Sequence, residues 1–375
     1  MRIAFTTGGT GGHLFPILAV AEELKNLIKT NVFQVPLGEG TDIEFMFLGP
    51  KTVGEEILSK EGIIHKTIMA GKLRRYADWQ NIFDILKIPC GLVQSLWHLF
   101  WFMPNVVFSK GSYGAVPVVL AAWIYRIPVI IHESDAEPGL ANKFCAKFSQ
   151  RVAISFSEAA KYFSPAKTAL TGNPVRPSLF GGTKEQAKEL FGLSGAKPVI
   201  LILGGSQGAQ AINDLIFTSL LLLAGRCEII HQCGPNNYDM IKQMLGDKTI
   251  NEYHLFPFLD NEQMKNALAA ADLVIARAGA GTIAEIAALG KPSILIPLPD
   301  AAADHQLKNA EEFAELGATV IMEQMNLTPH LFQSEIFSLL DNPDLLKKMG
   351  EDAKKFAHPD AARQIAQEIL NITKQ

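Results

Sequence analysis

Cysteine is scarce in this 375-residue chain. Cys90, Cys145, Cys227 and Cys233 are the whole complement, and no two stand at C-x-x-C spacing. That spacing excludes a structural zinc ribbon and a disulfide framework, and reduced thiols are expected. Charge is scarce too: 19% of residues are Asp, Glu, Lys or Arg, with a formal net charge of −4. Without a basic excess, nucleic acid is not expected as a partner. No D-x-D pair occurs to hold a metal–nucleotide complex. A metal-independent, cofactor-free chemistry is therefore expected, with helix dipoles supplying the positive field. No secretory leader is expected, since Met1 runs straight into an apolar strand and then glycines. One uncharged stretch, IPCGLVQSLWHLFWFMPNVVFS, lies between Lys87 and Lys110. Pro89, Gln94, His98, Pro104 and Asn105 interrupt it. It reads as a buried or membrane-facing helix ending at Pro104 and then a strand, not as a span.

What the chain does have is oil and alternation. Hydrophobic residues make up 48% of it, and its length predicts two domains. Buried strands are expected at 2–7, 44–48, 105–109, 128–132 and 151–155, with helices at 16–29, 80–103, 114–125 and 138–148. The pattern breaks at TGNPVRPSLFGG (171–182), a linker by its prolines and glycines. Alternation restarts with strands at 199–205, 228–234, 272–279, 292–299 and 319–323. Such βαβ alternation predicts an α/β fold of two doubly wound parallel sheets. The expected domains are 1–172 and 173–358, with a last helix in 359–375 that can return to the first domain.

Both halves begin with a strand, a glycine cluster and a helix: AFTTGGTGGHLFP and LILGGSQGAQAIN. Glycines let backbone N–H groups approach an anion, and the helix end behind them is positive. Neither loop has the G-x-x-x-x-G-K-[ST] of a Walker A motif. A dinucleotide G-x-G-x-x-G fails as well, because Leu14 stands where its third glycine belongs and EFMFLG ends in Gly49 where an acid is needed. A plain tight turn is the remaining alternative, and two such loops in parallel positions weigh against it.

Four other places invite chemistry. ARAGAGTIAEIAALGKP (276–292) puts Gly279 and Gly281 before a helix carrying Glu285. That carboxylate can accept hydrogen bonds from a diol such as ribose, or simply cap the helix. His13 falls on a first helical turn, where the positive helix end disfavours imidazolium and leaves a ring able to act as base. His132 and Glu133 end a strand at the edge where open α/β sheets bind ligands. Arg176, in the linker, can meet phosphate oxygens in bidentate fashion. Each also has an ordinary structural explanation.

Seven ordered motifs now carry a resemblance: GGTGGH (8–13), KGSYGAVP (110–117), HESDAEPGLAN (132–142), TGNPVR (171–176), GGSQGA (204–209), RAGAGTIAEI (277–286) and DHQLKNA (304–310). Together they resemble the MurG family of UDP-N-acetylglucosamine transferases along nearly the whole chain. The resemblance implies a GT-B fold, two Rossmann-like domains facing across a cleft. It implies inverting transfer of N-acetylglucosamine to the muramyl 4-hydroxyl of lipid I, giving lipid II for peptidoglycan. It carries donor contacts to Thr10, Gly11, Gly12, Arg176, Ser206, Leu259 (backbone to uracil), Ala280, Gly281, Thr282, Ile283, Ala284, Glu285 and Gln306. His13 becomes the candidate base, Glu133 a second catalytic candidate, and Tyr113 a residue of the acceptor side. Asp135 stands where many relatives have Asn, and can accept but not donate there. Ala278 replaces a common Ser, and PLPDAAADHQ is longer than in some relatives.

A lipid acceptor implies a peripheral enzyme on the cytoplasmic face of the bacterial membrane. Lys72, Arg74 and Arg75, then Ile82, Phe83, Ile85, Leu86 and the aromatic run 97–102, combine basic and apolar character suited to an anionic surface. Alternatives on the same fold are a UDP-GlcNAc 2-epimerase-type isomerase, a glycolipid synthase using diacylglycerol, and a non-catalytic nucleotide-sugar binder.

Overall fold

Parallel sheets buried on both faces need nearly continuous apolar strands, and the central strands here are of that kind. The computed structural model describes residues 1–8, 11–30, 43–51, 54–71, 80–205, 208–246, 250–299 and 301–374, with only the backbone for 11–12, 80–86 and 302. The chain divides into two compact units, residues 1–176 with 358–375, and residues 177–357.

Unit 1 runs β1 (Arg2–Thr6), α1 (Gly11–Lys29), β2 (Glu44–Gly49), α2 (Glu55–Lys60), β3 (Ile63–Thr67), α3 (Gln80–Phe102), β4 (Val106–Ser109), α4 (Val116–Ile124), β5 (Val129–Glu133), α5 (Leu140–Cys145), β6 (Arg151–Ile154) and β7 (Thr168–Leu170). The strands lie in the order β3-β2-β1-β4-β5-β6-β7, and every pair is parallel. Alternation divides the core. Ile3, Phe5, Phe45 and Phe47 pack on one face with Ile17 and Leu24 of α1. Ala4, Met46 and Leu48 pack on the other with Leu99 of α3 and Val118 and Val119 of α4.

Unit 2 runs α6 (Lys184–Phe191), β8 (Val199–Leu203), α7 (Gln210–Arg226), β9 (Glu228–Gln232), α8 (Pro235–Leu245), β10 (Tyr253–Phe256), α9 (Asn261–Ala270), β11 (Leu273–Ala276), α10 (Ala280–Leu289), β12 (Ser293–Leu295), α11 (His305–Ala314), β13 (Thr319–Ile321), α12 (Pro329–Leu340) and α13 (Pro343–Phe356). Its order is β10-β9-β8-β11-β12-β13, again parallel throughout. Helix α14 (Ala361–Ile372) belongs to unit 1, where Ile365, Ala366, Ile369 and Leu370 share the core of β1 and α1.

Three strands, β3, β7 and β10, have no counterpart in the sequence reading. All three are sheet edges, with half-polar sequences IIHKT, TAL and YHLF. An edge strand is not buried on both faces, so it lacks the apolar run that marks its neighbours. Helix α1 also starts five residues earlier than its apolar period, at Gly11 rather than Pro16. First-turn N–H groups need no helical partner, so glycines are tolerated there. Helix α3 continues through Pro89 and ends at Phe102, where Met103 turns left-handed at φ 46°.

Candidate functional site

In an open α/β sheet, ligands bind beyond the carboxyl ends of the strands where the strand order reverses. Unit 1 reverses between β1 and β4, and unit 2 between β8 and β11. The four loops at these points are the two glycine clusters, KGSYGAVP and RAGAG.

In unit 1 the loops after β1 and β4 touch. Thr7 Oγ1 donates to the Gly111 carbonyl at 3.3 Å. A Cβ on Gly8 would lie 2.3 Å from Ser112 Oγ, and one on Gly114 would lie 2.6 Å from the Thr7 carbonyl. Only glycine permits that approach. Tyr113 opens a short 3-10 turn at this junction and is half-buried. Gly11, Gly12 and His13 form the first turn of α1, and His13 is half-buried. Two residues on, Phe15 carries the Arg176 guanidinium over its ring at 4.0 Å, a cation–π contact. The structure thus gathers His13 and Arg176 at one helix end. Thr10 lies outside the described residues.

Beneath this surface lies a polar cluster; sequence reading named its His132, Glu133 and Asp135 but gave Lys110 and Asn173 no role. Lys110 is 1% exposed. Its Nζ reaches His132 Nδ1 at 2.6 Å, Asn173 Oδ1 at 2.9 Å and Ser134 Oγ. Three donors meet three acceptors, which satisfies the ammonium. His132 Nε2 lies 2.9 Å from the Gly172 carbonyl. A carbonyl only accepts, so the hydrogen sits on Nε2 and Nδ1 accepts from Lys110. Burial, then the Lys110 charge, holds His132 neutral well below the usual histidine range. Burial likewise pushes the Lys110 pKa down. Glu133 turns inward: it accepts from Asp135 N at 3.0 Å, Gly139 N at 3.3 Å and Asn142 Nδ2 at 2.8 Å. Burial, then the neighbouring Asp135, raises its pKa. Asp135 itself is half-buried on the loop that Glu133 shapes. The sequence signal for Lys110 was the lone charge directly after a buried strand.

In unit 2, Gly204 and Gly205 follow β8, and Ser206 lies outside the described residues. Leu259, 2% exposed, donates its N–H to Gln232 Oε1 at 2.9 Å. Gly279 precedes α10 with no side-chain cap, so the N–H groups of Ala280, Gly281 and Thr282 point outward without helical acceptors. Ile283 is fully buried and Ala284 nearly so. Both can offer a ligand little beyond backbone. Glu285 lies in the second turn, half-buried; no acid stands in the first turn, so it is no cap. Arg277, also missed from sequence, holds the Ile296 and Pro297 carbonyls at 3.1 Å each and Gln324 Oε1 at 2.7 Å. Gln306 accepts from Leu298 N at 2.9 Å, across a turn where Ala303 and Asp304 are left-handed.

A third region is a patch of apolar surface on unit 1. Trp97, Phe100, Trp101 and Met103 at the end of α3, and Trp123, Ile124 and Tyr125 at the end of α4, are all exposed. So many large apolar groups together mark an interaction surface. Among the described residues no helix is long and apolar enough to cross a membrane. Lys72, Arg74 and Arg75 lie outside the described residues, and the side chains of Ile82, Phe83, Ile85 and Leu86 are not described.

Known proteins resemble this chain in sequence and fold. A family model for the glycosyltransferase family 28 N-terminal domain matches residues 3–154, and one for its C-terminal domain matches residues 199–365. The chain is similar to the UDP-N-acetylglucosamine–N-acetylmuramyl-(pentapeptide) pyrophosphoryl-undecaprenol N-acetylglucosamine transferase of Clostridium tetani. The two are 36% identical over 94% of each chain. The similarly named Treponema pallidum protein is 35% identical over 100% of this chain and 96% of its own. Among solved structures, Acinetobacter baumannii MurG superposes with TM-score 0.72 at 28% identity, covering 99% of each chain. A UDP-GlcNAc 2-epimerase from Neisseria meningitidis superposes with TM-score 0.69 at 18% identity, covering 99% of this chain and 100% of its own, a likeness of fold alone.

Proposed function

We propose, for a chain that belongs to glycosyltransferase family 28, that it transfers N-acetylglucosamine from UDP-GlcNAc to the muramyl 4-hydroxyl of lipid I, forming lipid II. The observation that carries this reading is the matched construction at both strand reversals: a glycine loop and a helix N-terminus in each unit. The relatives named for this reaction match essentially full length.

The donor nucleotide is assigned to unit 2. The Leu259 backbone meets the base and Glu285 accepts from the ribose hydroxyls. The first-turn N–H groups at 280–282 are assigned to the diphosphate, as is Ser206 on the strength of its motif alone. Ile283 and Ala284 shape that helix end from beneath, and Gln306 holds the 298–306 turn beside it. The acceptor is assigned to unit 1, with Tyr113 on its side, while Thr10, Gly11 and Gly12 keep the donor role that the family resemblance gives them and Asp135 is assigned to the sugar. His13 is the group assigned to take the proton. The 4-hydroxyl oxygen attacks the anomeric carbon from the face opposite UDP. The bond from that carbon to the β-phosphate oxygen breaks, UDP departs with the electron pair, and His13 receives the hydroxyl proton. Arg176 and the glycine-loop amides stabilise the charge that grows on the departing diphosphate. Glu133 supports this chemistry by holding the loop that bears Asp135, since its oxygens are occupied there.

The exposed aromatics of α3 and α4, with the basic segment before them, suit docking on the anionic cytoplasmic face of the membrane that holds lipid I. The test supplies UDP-GlcNAc with and without vesicle-borne lipid I and follows UDP. Release that depends on the acceptor supports the transferase. Turnover of UDP-GlcNAc without acceptor selects a 2-epimerase-type isomerase, and binding without turnover selects a non-catalytic role.

A further inference from the structure

Gln232 closes β9 and is 3% exposed. Its side-chain amide is used at both ends. Nε2 donates to the Gly205 carbonyl at 3.3 Å, and Oε1 accepts from the Leu259 N–H at 2.9 Å. Its main-chain carbonyl accepts from Gly204 N at 3.2 Å. One buried residue therefore ties the glycine loop after β8 to the turn after β10.

The frame around that tie is rigid. His231 is fully buried, with Nδ1 2.8 Å from Tyr253 Oη and Nε2 3.0 Å from Asn213 Oδ1. Asn213 Nδ2 and Asn237 Nδ2 each donate to the Cys233 carbonyl at 3.0 Å. A Cβ on Gly208 would lie 2.2 Å from that carbonyl, so the far end of the glycine loop also seats on the end of β9. Buried networks with every partner satisfied hold a single arrangement.

We infer that Gln232 is a positioning residue that sets the span between the base-holding turn and the diphosphate-holding loop, so that a nucleoside diphosphate engages both at once. This rests on the donor assignment made above. Two half-sites at a fixed span turn the second contact into an intramolecular one, which adds affinity without any new contact. Loss of the tie removes that joint gain and leaves each half-site its own affinity. Gln232 acts through Gly205 and Leu259.

The test compares UDP and uridine affinities by competition against labelled UDP, on the full chain. Gln232→Met keeps the side-chain volume but removes the amide. Gln232→Asn keeps the amide, one methylene too short to span both partners. Both variants should weaken UDP by about tenfold or more, as the joint gain of two half-sites at a fixed span is lost, while uridine changes by less than about threefold. The acceptor KM should stay as in the wild type. Equal weakening of UDP and uridine, or unchanged UDP affinity, overturns the inference. If Gln232→Met does not fold, the ratio for Gln232→Asn decides. A wild-type chain that binds no UDP overturns the donor assignment itself, whereas wild-type binding with equal binding by the variants overturns only the role of Gln232.

Discussion

In unit 1 the strand ends beyond the sheet are tied by ionisable groups. Lys110 joins β4 to β5 and to the segment at 172–173, and Glu133 holds the loop that follows it. In unit 2 the ties around the end of β9 are neutral amides, Gln232, Asn213 and Asn237, and the charged Arg277 acts at the far side, between the ends of β11 and β12. Buried charge is costly unless every donor and acceptor is matched, so the unit 1 cluster is unforgiving of substitution. The comparison teaches that one architecture has been fitted to two duties. On the assignment proposed above, unit 1 would present a base on a scaffold of ionisable groups, and unit 2 would hold a diphosphate beside a frame of neutral amides.

The largest effect should fall on the group assigned to proton transfer. His13→Ala should reduce turnover by about 100-fold or more with the fold intact, as steady-state UDP release would report. Near-normal turnover would take His13 out of that role. Next comes the scaffold itself. Lys110→Met leaves His132 Nδ1, Ser134 Oγ and Asn173 Oδ1 without their donor, and should cost about 3 kcal/mol in urea unfolding. An unshifted midpoint would erase the contrast between ionisable and neutral ties.

A pH experiment probes the neutral side. Burial lowers the His231 pKa to about 3, while an unfolded histidine titrates near 6.5. Between those values the unfolded chain binds the extra proton, so stability falls as pH falls, by about 1.4 kcal/mol per pH unit. His231→Gln should flatten the acid side of the stability curve between pH 6.5 and 4.5, followed by unfolding at fixed pH values. An unchanged slope would mean that other groups, His132 of unit 1 first among them, carry the acid sensitivity. The smallest effect belongs to Asp260, the carboxylate next to Leu259. It is exposed and forms a capping box with Gln263 on α9. Asp260→Ala should cost about 1 kcal/mol, read as a small fall in the unfolding midpoint.

Central strands were readable because burial on both faces demands unbroken apolar runs such as VILIL and LVIA. Edge strands β3, β7 and β10 were not, because nothing demands such runs of them. The glycine loops and His13 stand out in the letters, since few other sequences allow backbone so close to an anion. Lys110 and Gln232 look like ordinary polar residues at strand ends. Their importance comes from partners that no local pattern names.

By itself, the sequence determined the alternation of strands and helices, two α/β halves, and the ordered motifs that carry the family. Those properties depend on local periodicity and on which residues permit tight turns. Tertiary structure alone decided which loops lie side by side. Strand order brings the loop after β1 against that after β4, and the loop after β8 beside that after β11. It also decided that Lys110 would be buried among acceptors 22, 24 and 63 residues away. The reason is physical: sheet order follows from burying helix faces on both sides of a sheet, a global condition that no short stretch encodes.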